Sequence, residues 1–209
     1  MIEYLNHTPV ASIIFVFTLV TSIYAFNDHI LFGKFMLHPY SVYRRSKVYT
    51  LITSGLIHSN WMHLIFNMFT FFFFAFKLEA TIGHWQFALV YFLGLVLSDL
   101  PSVIKHKDDF WYNSLGASGA ISAVLFSYIL YYPLDTLMIF PLPIPIWAFL
   151  FGILYLIYCW YMSRNSRDNI NHDAHLFGAI TGVIVTIILE PTIIPHFIAA
   201  LTGAGSAFR

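Results

Sequence analysis

A bundle of membrane-spanning α-helices is the fold class this sequence predicts, and three observations carry it. Hydrophobic residues fill 59% of the 209 positions and charged ones 10%, whereas a soluble domain carries about 25% charged residues. Six apolar segments follow one another along the chain, each near the roughly 20 residues a spanning helix needs. Aromatic residues such as Tyr128, Tyr131 and Tyr132 mark segment ends, where their rings favour the headgroup level. The six segments and their connections fill 1–209 as one polytopic membrane domain, with no internal repeat. Formal net charge is zero and no basic or acidic run occurs, so no nucleic-acid partner is expected. Cys159 is the single cysteine; its apolar surroundings suit a buried structural thiol, and no disulfide can form within the chain. Glu3 stands where a signal peptide would carry a basic residue, and no clear small-x-small site follows, so the first segment reads as a retained helix.

The elements follow in order. The first helix is expected at 9–26, with Pro9 suited to the first turn. A long connection, 27–60, carries Lys34, Arg44, Arg45 and Lys47 among Phe32, Phe35, Met36, Leu37, Tyr40 and Tyr43. Loops longer than about 15 residues are usually functional or disordered, and these aromatics predict an ordered first loop embedded in the interface. The second helix is expected at 61–76, closed by Lys77 and Glu79, and the third at 85–100, before a polar loop from Pro101 to Asn113. The fourth is short, 118–132, stopped by Pro133; the fifth, 145–162, follows a Pro-rich run; the sixth, 172–189, is closed by Glu190-Pro191. The tail from Thr192 is mildly apolar and reads as surface-lying or frayed.

Helices two, four and six run in one direction and share a far interface. Ser118 lies 15 residues before Pro133, His175 lies 15 before Glu190, and His63 lies 14 before Lys77. At about 1.5 Å per residue each polar group is roughly 21–23 Å from that interface, inside a hydrocarbon core of about 30 Å. A serine and two histidines therefore share one depth on three parallel helices.

Ser118 sits in Gly116-Ala-Ser-Gly-Ala120, where a polar loop turns into an apolar run. Small residues line membrane helix contacts generally, so the stretch is either a packing device or a nucleophile. His63 and Asn67 are four apart and share a helix face; they are interhelical hydrogen-bonding glue or polar groups facing a wet cavity. His58 belongs to the loop before them. A zinc site of His58, His63, His172 and His175 is not expected, because the His-Glu-x-x-His pattern is missing. No metal or other cofactor is expected at all. On the sixth helix His175, Gly178 and Gly182 fall on one side, within about 60°. If their ridge packs on Gly119 and Ala123, the His175 imidazole is carried towards Ser118, as a serine–histidine nucleophile pair requires.

Over roughly 51–190 these residues resemble the rhomboid intramembrane serine proteases, a six-helix membrane family. The resemblance lies in His58-Ser-Asn-Trp-Met-His63-Leu-Ile-Phe-Asn67-Met68, in Gly116-Ala-Ser118-Gly-Ala, in Ala174-His175-Leu-Phe-Gly178 with Gly182, and in Phe140-Pro-Leu-Pro-Ile-Pro-Ile-Trp147. It implies Ser118 as nucleophile and His175 as general base, a dyad without an acidic third member; Asp173, two residues from His175, points elsewhere. It implies that His63, Asn67 and the Ser118 amide stabilise the oxyanion, that His58 is structural, and that the first loop flanks substrate access. It implies single-pass transmembrane proteins as substrates, with a small residue before the cut and helix-weakening residues beyond it. Water must reach Ser118 from the near surface, and the polar loop 163–171 is expected to gate it.

Three departures stand out. Ser122 occupies the position, four after the nucleophile, where many members carry the aromatic on which the histidine rests. Tyr49-Thr50 replaces a common Trp-Arg pair, so Arg44 or Arg45 is expected to anchor the first loop. The cytoplasmic N-terminus implied by the family puts eight Lys and Arg residues outside and two, Lys77 and Arg209, inside, against the positive-inside tendency. The sequence predicts a multi-pass protein of a bacterial plasma membrane. Two alternatives are a non-catalytic rhomboid-like scaffold for membrane clients, and a small transporter, which the scarcity of intramembrane acids and the lack of repeat symmetry oppose.

Overall fold

Proline and buried carboxylate chemistry shape the first helix. In the computed structural model, which describes residues 6–139, 142–166, 168 and 170–203, α1 spans Pro9–Ala25 with its proline in the first turn. Its free N-terminal amides need acceptors. The Val10 and Ala11 N–H groups find them in the carboxylate of Glu79, at 3.1 and 2.6 Å. Glu79 is fully buried and also takes the His84 ring at 2.7 Å. It therefore does not close the second helix, which runs six residues past the expected end, as α5 (Trp61–Ile82), and stops at Gly83 with φ +92°.

The first loop is ordered as short helices: α2 (His29–Phe35), α3 (Pro39–Tyr43) and α4 (Thr50–Thr53), then a 3₁₀ turn at Ser54–Leu56. Asp28 caps α2 by accepting from Ile30 and Leu31. Arg44 anchors the loop, donating to the Lys107 carbonyl at 2.5 Å and pairing with Asp108 at 3.2 Å. Leu37 exchanges backbone hydrogen bonds with Ser114, at 2.8 and 3.1 Å, which ties the first loop to the segment leading to Ser118.

Next come α6 (His84–Lys105), α7 (Ser118–Tyr131), α8 (Ala148–Asn165), α9 (His172–Leu189) and α10 (Ile193–Thr202). The helix of α6 continues through Pro101 to Lys105, past the expected end at 100. Between α7 and α8 lies an antiparallel pair, β1 (Thr136–Ile139) and β2 (Leu142–Trp147), which the sequence reading did not anticipate. Pro143 and Pro145 each push the residue before them towards extended backbone. So 145–147 extends the strand, and α8 starts at Ala148 rather than 145. α8 runs to Asn165, three residues past the expected end at 162, so the connection before α9 is 166–171 rather than 163–171. Phe140 and Pro141 of the Pro-rich stretch, and Arg167 and Asn169 of this connection, lie outside the described residues, as does the tail beyond 203. The nearer part of the tail is helical, and Ile193 of α10 is buried.

At the centre stands α7, with every residue from Gly119 to Leu130 buried. A helix apolar on all sides belongs inside a bundle, and α5, α6, α8, α9 and α10 all touch it. Three helices, α5, α6 and α9, are long and apolar enough to cross a membrane; α1, α7 and α10 are shorter apolar helices. Exposed apolar side chains such as Phe17, Val20, Phe69, Phe73, Ile153 and Ile157 face outward.

Candidate active site

The site grows from one helix contact. A Cβ built on Gly178 would lie 2.2 Å from the Gly119 carbonyl oxygen, and one on Gly182 would lie 2.2 Å from that of Ala123. Only glycine permits such backbone approach. Both steps advance by four residues in the same direction, so α7 and α9 run parallel with their N-termini together. Ser118, half-buried, opens α7 beside Gly119; His175, half-buried, lies one turn before Gly178. The third wall at this level is Ser98 of α6, whose Oγ would be 2.1 Å from a Gly119 Cβ.

Gly116 takes φ +116°, a conformation side chains rarely adopt, and its N–H donates to the Ser54 carbonyl at 2.9 Å. The missing Cβ is filled by the His63 ring: Cε1 and Nε2 would be 2.6 and 2.8 Å away. His63 thus abuts the turn that presents Ser118. Its tautomer follows from its partners. The Ser59 N–H donates to His63 Nδ1 at 3.4 Å, and the Ser59 hydroxyl lies at 3.1 Å. Nδ1 is therefore an acceptor, and in the neutral ring the proton sits on Nε2, facing Gly116. One turn along α5, buried Asn67 donates from Nδ2 to the His63 carbonyl at 2.9 Å and keeps a second amide hydrogen.

His58 lies behind His63, ring edge to face at 4.9 Å. Its Nδ1 and the Ser22 hydroxyl of α1 are 2.9 Å apart, while that hydroxyl donates to the Leu56 carbonyl. Burial, with the neighbouring His63 adding to it, holds the His58 imidazole down at about 3 instead of 6.5. It is a neutral structural buttress.

Two residues that the sequence reading missed complete the site. Asn171 caps α9, accepting from the Ala174 N–H at 3.0 Å. Its side chain also bonds Ser102 of α6, and its Nδ2 donates to Ser114 at 3.1 Å. It locks the start of the histidine helix to the loop that delivers the serine. An Asn three residues before the start of an apolar run is a capping signal, and could have flagged it. Tyr155 of α8 is the second. Its ring lies parallel to that of His175, 13° between planes and 6.4 Å between centroids, within the range of offset aromatic stacking. Its hydroxyl shares a 2.8 Å hydrogen bond with Ser122. No local pattern could show this, since the partners come from three helices.

Asp173 turns away, its carboxylate accepting from Lys105 at 2.7 Å. His172 is buried, its Nε2 3.2 Å from both oxygens of Asp168. A hydrogen bond from the Ile170 N–H holds the Asp168 carboxyl below its ordinary range. Among the described residues the Ser118 hydroxyl makes no hydrogen bond. Catalytic contacts are often loose without substrate.

Comparison with known proteins agrees with this architecture. The family model of the rhomboid domain matches residues 45–192. The chain is 27% identical to the mitochondrial RHOMBOID-like protein 12 of Arabidopsis thaliana over 175 residues, covering 76% of this chain and 51% of that protein. It is 29% identical over 138 residues to YdcA of Bacillus subtilis, which carries a provisional rhomboid-protease name; the match covers 66% of this chain and 65% of YdcA. The chain thus spans about half the length of the plant relative and just under two thirds of the bacterial one. With apolar helices of spanning length on the same segment, this chain is an integral membrane protein and belongs to the rhomboid family.

Proposed function

We propose that the chain is an intramembrane serine endopeptidase, a six-span rhomboid protease of a bacterial plasma membrane. It would cut single-pass transmembrane proteins with Ser118 and His175. The observation that carries this reading is the parallel glycine-to-backbone contact of α7 and α9. It sets the serine and histidine helix starts together, beside the His63 ring.

In the proposed reaction a neutral His175 takes the Ser118 hydroxyl proton as Oγ attacks the scissile carbonyl. Negative charge moves to the carbonyl oxygen. In this reading the His63 Nε2–H, the second hydrogen of Asn67 Nδ2 and the Ser118 amide would receive it. That amide belongs to the first turn of α7, where N–H groups lack helical partners. Losing one such donor typically costs about 10²–10³ in rate. His175 then protonates the leaving amine, and water cleaves the acyl-enzyme by the same steps in reverse. Water would come from the near surface past the connection 166–171.

The test is cleavage of a single-pass substrate in proteoliposomes by the native chain, Ser118→Ala and His175→Ala, with fluorophosphonate labelling in parallel. Cleavage and labelling by the native chain alone supports the dyad. Absence of both in the native chain favours a client-binding scaffold, and cleavage surviving Ser118→Ala means another nucleophile.

A further inference from the structure

We infer that Tyr155 is the positioning residue for His175, so that the seating of α8 sets the catalytic base. This rests on the dyad reading above. The imidazole of a general base has to face its serine, and a ring at the start of a helix needs something flat to hold it. On α7, the residue one turn after Ser118 is Ser122, too small to support a ring. Its hydroxyl instead holds the Tyr155 hydroxyl at 2.8 Å. The Tyr155 ring lies within 13° of parallel to that of His175. Phe126 of α7 and Phe151, one turn before it on α8, pack on Tyr155 with centroids at 5.7 and 5.8 Å. The three-residue chain Ser122–Tyr155–His175 thus links α7, α8 and α9 at the depth of the serine.

The consequence is a coupling. Of the residues of α8 only Ala148, Gly152 and Cys159 are buried, so α8 lies on the outside of the bundle. Gly152 lies one turn before Tyr155 and is where α8 closes on α7; a Cβ there would sit 3.2 Å from Ile129 and 3.5 Å from Phe126. Any outward movement of α8 withdraws the surface on which His175 rests. Catalytic competence therefore follows the position of α8, although α8 carries neither nucleophile nor base.

The experiment measures kcat, KM and the rate of Ser118 labelling by a fluorophosphonate in Tyr155→Ala, Tyr155→Phe, Ser122→Ala and Gly152→Val, with melting temperatures alongside. Tyr155→Ala is expected to lower kcat and labelling together by about tenfold or more, with KM within about twofold, since misplacement of a reacting group by 1 Å can cost 10²-fold. Tyr155→Phe keeps the ring and loses only a hydrogen bond, roughly fivefold. Ser122→Ala breaks the same bond, so the double variant should be no worse than either single one. Gly152→Val leaves all three side chains intact and should lower kcat by wedging α8 outward. Native kcat and labelling in Tyr155→Ala would overturn the proposal while leaving the dyad standing. Loss confined to KM, or tracking a fallen melting temperature with Phe no better than Ala, overturns it too. A native chain that neither cleaves nor labels overturns the dyad, and this with it.

Discussion

Replacing Gly178 with alanine adds one methyl group at the point where two backbones touch. The new carbon would lie 2.2 Å from the Gly119 carbonyl oxygen, 2.9 Å from its carbon and 3.1 Å from its Cα. Ordinary contact begins at 3.4 Å, and none of these atoms belongs to a side chain that can rotate away. The helices must part by about 1 Å at this level, and forcing extra carbon into a packed interior typically costs about 1–3 kcal/mol. The kinetic effect should be larger than the thermodynamic one. Ser118 and His175 hang from the two helices being separated, and displacement of 1 Å between reacting groups costs on the order of 10²-fold. Proteolysis in liposomes together with thermal unfolding in detergent reads both. Gly33→Ala, where no atom lies within 4 Å of the added carbon, is the control and should cleave at the native rate. Native turnover by Gly178→Ala at an unchanged melting temperature would show that the α7–α9 contact does not set the site, and would refute the reasoning.

Three further outcomes are expected. Gly116→Ala combines a strained φ of +116° with a methyl group 2.6 Å from the His63 ring; cleavage should fall about 10²-fold, as for loss of one oxyanion donor, and fluorophosphonate labelling should slow in parallel. Asp173→Asn removes an ion pair with Lys105 that lies at the edge of the fold; stability should change by under about 1 kcal/mol with kcat unchanged, and a large loss of kcat would reinstate Asp173 as a third catalytic member. His58 binds its proton far more weakly folded than unfolded, at about 3 against 6.5. Its contribution is therefore whole above pH 6.5 and shrinks as pH falls towards 3. At pH 5 the loss is about 2 kcal/mol, measurable as a drop in melting temperature that His58→Gln should flatten.

What the sequence made legible was whatever repeats along one helix. The spacing of His175, Gly178 and Gly182 exposes a ridge, and counting residues back from interface markers puts Ser118, His63 and His175 at one depth. Helix ends were harder, since a charge in an apolar run reads as a stop. Glu79 is no stop, because its carboxylate is consumed by the amides of α1, a partner 68 residues away. Pro101 is no stop either, and α6 continues to Lys105. The strand pair escaped notice because a Pro-rich run has no alternation to read. The support for His175 was out of reach for a further reason. Ser122 looked like a missing aromatic, and only the fold brings the Tyr155 ring of α8 beside His175 with its hydroxyl bonded to Ser122.

The position of Ser118 in the bundle is set from the opposite end of its helix. At the C-terminal end of α7, Tyr128 bonds Asp135, and Lys77 of α5 donates to Asp135 at 2.7 Å and to Tyr128 at 3.1 Å. The Lys77 ammonium also lies 3.9 Å over the Tyr132 ring. Burial alone would raise the Asp135 carboxyl, but the bonds from Lys77 and Tyr128 bring it below its ordinary range. This polar cluster fixes the end of α7 against α5. From there the helix has 14 residues, about 21 Å of rise, which is less than the roughly 30 Å of a hydrocarbon core. If that end marks one interface, the start of α7 falls several ångströms short of the other. On the proposed function, a longer α7 would lift Ser118 towards the headgroups, away from a spanning substrate. On the proposed function, helix length, glycine contact and the cluster at the far end are thus one device for holding Ser118 at a chosen depth.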